Sequence, residues 1–100
     1  MASEYDVKYV VRDRSRPKFN SITHIGGELS SGDSWQISVK EAIEGIRSGR
    51  FAFTITRQID RPETLMVLDH PLYGPLLKSN LDRRDPESLM TLPEKSGSLF

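Results

Sequence analysis

The stretch WQISVKEAIEGIRSGRFAFTIT, residues 35–56, carries three local signals in the order extended, helical, extended. Ser38 followed by Glu41 is the S-x-x-E pattern of a helix N-terminus, in which the serine oxygen accepts from the N3 amide. Val39, Ala42, Ile43 and Ile46 recur at i, i+3, i+4 and i+7, so they form one apolar stripe. Lys40, Glu41, Glu44 and Arg47 lie off that stripe. Gly49 falls where a left-handed residue ends a helix, with Arg47 near the negative end of the dipole. Gly45 costs about 1 kcal/mol relative to alanine inside a helix, so either a strand approaches closely there or the cost is simply tolerated. Phe51, Phe53 and Ile55 then alternate with Ala52, Thr54 and Thr56, the pattern of a half-buried strand.

Outward from this stretch, residues 5–12 (YDVKYVVR) alternate with Tyr5, Val7, Tyr9 and Val11 on one side. Residues 13–17 form a polar turn ending in Pro17. Residues 19–25 read as a second strand. Ile22 and Ile25 are three apart, which calls for a bulge or strand end near His24, and Gly26-Gly27 closes the strand. Residues 28–34 are a loop. After the central stretch come a turn at Asp60-Arg61-Pro62-Glu63 and a continuous apolar strand at 64–69, expected to be buried on both faces. A wide turn follows at 70–75, then a last strand at 76–80. Asp85-Pro86 opens a short helix through Leu89 and Met90 that closes before Pro93.

The expected fold is α+β: a mainly antiparallel sheet of about four to six strands, one amphipathic helix on it, and a short C-terminal helix. Residues 1–93 read as one domain, with 1–18 a basic N-terminal extension, 19–93 the core and 94–100 a flexible tail.

Composition narrows the function. The 14 basic and 14 acidic residues cancel, which removes a chain-wide electrostatic case for nucleic acid or anionic membrane. The absence of cysteine excludes disulfides, thiolate nucleophiles and cysteine zinc sites. The opening MASEYDVKYVV lacks an apolar h-region, and no run reaches membrane-spanning length. The expectation is a cytoplasmic protein with no membrane partner.

Several pieces, taken in order, resemble a small bacterial and phage-associated family, domain of unknown function 3892. They are ITHIGG (22–27), SVKEAIEGIRSG (38–49), FAFTIT (51–56), LMV (65–67), LLKSNLD (76–82) and SLMTLP (88–93). The resemblance covers residues 22–93. It implies a compact fold and carries no known activity. The segment before Ile22 departs from the pattern, and the aromatic often found before the last strand motif is displaced to Tyr73.

Candidate chemistry is sparse. His24 and His70 would need carboxylates such as Asp69 or Asp82 to hold a metal, and no H-x-x-x-H or H-E-x-x-H spacing exists, so neither a metal nor another cofactor is expected. No G-x-S-x-G elbow presents a serine, and Gly26-Gly27 belongs to no phosphate-binding pattern. No catalytic set is assigned.

Two clusters stand out. Lys8, Arg12, Arg14, Arg16 and Lys18 face Asp13 alone, a local charge of +4, with Tyr9, Phe19 and Trp35 available for stacking. They form either a partner or nucleic-acid contact surface or the solvated charges of an edge strand. Asp82 and Arg84 form a loop that serves either as an acid/base or phosphate contact, or as solvated charge.

The leading expectation is a non-enzymatic accessory or protein-interaction module, self-association included, that uses a sheet edge or the N-terminal strand. Weak nucleic-acid binding through the basic segment is the alternative, followed by an enzyme using Asp82.

Overall fold

The computed structural model describes residues 2–56, 62–83 and 87–95. The elements, in chain order, are β1 (Ser3–Asp6), β2 (Tyr9–Arg12), β3 (Ile22–Glu28), β4 (Ser34–Ser38), α1 (Val39–Arg47), β5 (Phe51–Ile55), β6 (Glu63–His70) and β7 (Gly74–Ser79). Single 3-10 turns lie at Lys18–Asn20 and Ser88–Thr91. The fold is α+β, and its strands divide between two sheets, ordered β1-β5-β6-β7 and β2-β3-β4. Pairing is antiparallel except between β1 and β5.

The central stretch folds as its pattern predicts. The Ser38 hydroxyl accepts from the Glu41 N–H at 3.1 Å and donates to Glu41 Oε1 at 3.1 Å, which caps α1. Gly49 ends the helix with φ +76°. Gly45 is required by packing, because a Cβ at that position would overlap the Phe51 ring.

The N-terminal segment departs from a single strand. The Val7 N–H donates to the Thr54 carbonyl at 2.7 Å, and the next N–H, that of Lys8, donates to the Gly26 carbonyl at 2.8 Å. Two successive amides thus serve two different sheets. The bend breaks the alternation of residues 5–12: Val10 is buried, while Tyr9 and Tyr5 are only half-buried. This segment is part of the fold rather than an extension to it.

Gly26 and Gly27 lie inside β3 instead of ending it. A Cβ on Gly26 would overlap the Tyr9 ring, and one on Gly27 would overlap the Asp6 carbonyl oxygen. The glycines are there because other groups occupy the side-chain space. A register shift opposite Val11 and Arg12 passes over Thr23, next to His24, and turns both Ile22 and Ile25 toward the core.

Three further expectations change. Phe19 lies at a 3-10 turn rather than in a strand. β6 lies between β5 and β7, yet Met66 on it is 42% exposed, so one face meets solvent. The C-terminal helix is the 3-10 turn at Ser88–Thr91, without a side-chain cap, and Asp85 and Pro86 lie outside the described residues, as do Asp60 and Arg61.

The core gathers residues from both sheets and α1. Val7, Val10, Ile25, Ile43, Phe53, Ile55, Leu65, Leu77 and Leu89 are all nearly inaccessible.

Candidate functional site

The basic segment is partly neutralised, by the nearby Asp6 and Asp13 and by one distant acid, Glu94. Arg14 pairs with Glu94, and Arg12 Nη1 lies 3.6 Å from the same carboxylate. Arg12 Nε also donates to Ser21 Oγ at 2.9 Å. Arg16 lies 3.6 Å from Asp13, and Lys8 pairs with Asp6. Lys18 sits 5.2 Å from the ring centroid of its neighbour Phe19. Glu94 reaches this place because the chain returns along β2: Val10 N–H donates to the Pro93 carbonyl at 2.9 Å and Lys95 N–H to the Val10 carbonyl at 2.9 Å. Glu94 and Lys95 therefore belong to the fold, and residues 96–100 lie outside the described ones. A separation of 80 residues between Arg14 and Glu94 hid this pairing from local reading.

The aromatic residues expected to interleave with these charges are dispersed. The Tyr9 hydroxyl donates to the Trp35 carbonyl at 3.2 Å, and its ring carries Lys95 at 4.9 Å. Trp35 joins a different cluster, described below.

Asp6, at the end of β1, fastens that strand to the end of β5. Its Oδ1 accepts from the Thr56 N–H at 3.1 Å and from the Thr54 and Thr56 hydroxyls at 3.2 and 3.0 Å. Partial burial pushes its carboxyl up, but hydrogen bonds from Lys8, Thr56 and Thr54 and the charge of Lys8 outweigh that and hold it below the ordinary value of 3.8. A carboxyl lowered by folding stabilises the fold above its unfolded value, and this contribution is lost as pH falls through the folded value. Asp6→Asn should therefore flatten the acid limb of stability below about pH 4, read by thermal melts across pH. An unchanged acid limb would contradict this.

Asp82 acts as a structural clamp. Its Oδ2 accepts from the Ser79 N–H at 2.9 Å, and its Oδ1 accepts from the Ser88 N–H and hydroxyl at 3.2 and 3.1 Å. Lys78 Nζ donates to its carbonyl at 2.7 Å. These bonds tie the end of β7 to the Ser88–Thr91 turn. Arg84, its expected companion, lies outside the described residues.

His70 Nδ1 accepts from the Leu72 N–H at 3.0 Å and closes the β6–β7 hairpin, while the ring stacks on Tyr73 at 4.8 Å. His24 Nδ1 lies 2.9 Å from Thr23 Oγ1. Among the described residues no group of three His, Asp or Glu is placed to hold a metal. No helix among them is long and apolar enough to cross a membrane.

α1 separates two concavities. The larger, about 650 Å³, runs between one flank of the helix, β3 and the start of β7. Ile22, Val39, Ile43 and Leu76 give it apolar walls, and Arg16, His24, Lys40 and Arg47 stand around it with Glu44 as the one acid. The helical period explains the grouping, since residues 39, 43 and 47 fall along one flank with 40 and 44 beside them. Arg47 is held 2.7 Å from Asp69, while Lys40 has no ion-pair partner among the described residues.

The second concavity, about 310 Å³, lies on the other flank, against Glu41. Its walls are Tyr5, Trp35, Phe51 and Phe53, with Gln36 and Ile37. The parallel register that sets Tyr5 beside Phe53 brings these rings together. The alternation that places Phe51 and Phe53 on one face was visible in the sequence. The arrival of Tyr5 and Trp35 beside them depends on the pairing of distant strands.

Comparisons of the chain with family models, curated proteins and solved structures find no match.

Proposed function

We propose that this chain is a cytoplasmic, non-enzymatic interaction module, and that it receives an acidic, partly apolar segment of a protein partner in the larger groove beside α1. The observation that carries this reading is the groove itself, with apolar walls at Ile22, Val39, Ile43 and Leu76 and cations at Arg16, Lys40 and Arg47. Two of those cations already have carboxylate neighbours, Asp13 and Asp69. Exposed pairs of this kind contribute only about 0–1 kcal/mol, so a partner's carboxylates can replace them at little cost. The N-terminal strand is a weaker candidate for the contact, because its segment pairs with two sheets of its own chain. The basic segment is likewise weaker as a phosphate surface, because Asp6, Asp13 and Glu94 lie against it.

The test is a titration of isotopically labelled protein with a short acetylated peptide of glutamate and leucine, followed by amide shifts. Shifts should concentrate at residues 22–24, 38–47 and at Leu76. Reversing charge with Lys40→Glu and Arg47→Glu together should weaken binding by about tenfold and reduce its salt dependence. Absence of saturable shifts, or shifts centred elsewhere, would reject the groove.

A further inference from the structure

We propose that the smaller, aromatic-walled pocket binds an alkylated ammonium group, with Glu41 as its counter-charge. This site lies on the opposite flank of α1 from the groove proposed above and stands independently of it. Four rings bound the pocket, and they are not parallel. Tyr5 meets Trp35 at 5.3 Å and 53°, and Phe51 at 5.8 Å and 78°, while the buried Phe53 lies 5.9 Å from Tyr5 and from Trp35 at 31° and 29°. Ring faces carry the negative part of the aromatic quadrupole and attract cations. Arg50 shows this attraction at the same cluster, its guanidinium lying 5.3 Å from the Phe51 centroid, although Arg50 is not among the residues lining the pocket.

The charge of the lining has one sign. Glu41 is its one acid, and it contains no lysine, arginine or histidine. The Glu41 carboxylate accepts from Ser38 Oγ and forms no ion pair among the described residues. An anion would meet electron-rich faces and a carboxylate here. A neutral apolar ligand would gain nothing from the Glu41 charge. An ammonium group whose charge is spread over alkyl substituents satisfies both the rings and the carboxylate. The volume of about 310 Å³ stands at the small end of ligand pockets and suits a compact head group.

Such a group occurs on free small molecules and on methylated lysine side chains, and two titration arms separate these sources. Trp35 is the one tryptophan in the chain, so its fluorescence reports on the pocket directly. Choline chloride is titrated in one arm and a short peptide carrying trimethyllysine in the other. 3,3-Dimethyl-1-butanol, the uncharged isostere of choline, serves as the control. A saturable change in either arm, about tenfold tighter than the control, is the expected result, and the tighter arm names the source. Glu41→Gln, which keeps an oxygen acceptor for Ser38, should weaken binding several-fold while lowering the melting temperature by only a few degrees, the loss of one first-turn carboxylate. Tyr5→Leu should weaken it further, and if that variant fails to fold, Glu41→Gln decides alone. Equal binding of the uncharged isostere, no saturation in either arm, or unchanged affinity in Glu41→Gln would overturn the proposal.

Discussion

Phe53→Ala is expected to lose about 3–5 kcal/mol, the cost of removing a fully buried aromatic ring and leaving a cavity. Phe53 is 2% exposed and lies 5.9 Å, centroid to centroid, from each of Tyr5, Trp35 and Phe51. Domains of this size hold only about 5–15 kcal/mol in total, so much of the population should unfold under mild conditions. In urea the midpoint should fall by more than about 1 M, while Phe53→Leu should cost markedly less because it keeps most of the volume. Loss of the ring should also shift the fluorescence of Trp35 in any fraction that stays folded. A loss below about 1 kcal/mol would mean that the ring does not fill the junction between the sheets.

Gly27→Ala is the second large effect, expected at about 3 kcal/mol, the upper end of overpacking costs. One added methyl group is enough because the obstacle is backbone: the Asp6 carbonyl oxygen occupies the place where a Cβ would stand. The Trp35 ring stands 3.1–3.2 Å from the same point, so it too would have to shift by a few tenths of an ångström. Gly32→Ala is the matching control. Gly32 has φ +93° but nothing within 4 Å, so its substitution carries only the conformational penalty, about 1 kcal/mol. Denaturant midpoints of the two variants separate crowding from backbone strain. Equal losses at the two sites would contradict the close approach of β1 to β3.

These two sites also show how far local reading reaches. Ser38, Glu41, Gly49 and the alternation through Phe51, Phe53 and Ile55 act within a few residues of themselves, and their elements fold as the pattern predicts. Gly26 and Gly27 looked like a strand end because a glycine pair usually is one. The groups that fill their side-chain space, Tyr9 and Asp6, come from a distant segment. The strand expected at residues 5–12 failed for a related reason. Consecutive amides at Val7 and Lys8 serve different sheets, so that Val10 and Val11 are both buried beyond the bend, and a bend of that kind leaves no local signature.

The candidate site divides in the same way. The cations from Lys8 to Lys18 were legible as a cluster, whereas the carboxylate of Glu94 that Arg12 and Arg14 share was not. Asp82 was visible as a distinctive acid, but its hydrogen bonds to Ser79 and Ser88 make it a fastening of the chain. Neither concavity could be read from spacing, because each is closed by residues from strands whose pairing spans tens of positions.

The bridge between Val10 and Glu94 has a consequence for a nascent chain. β2, β3, β4 and α1 can organise early, since they rest on two antiparallel pairings of successive strands and one capped helix. β1 has no partner until β5 has been made, and the outer edge of β2 stays open until residues 93–95 leave the ribosome. Until β5 is made the chain therefore carries two unpaired edges, β1 and the outer side of β2, and the second stays open until residues 93–95 pair with Val10.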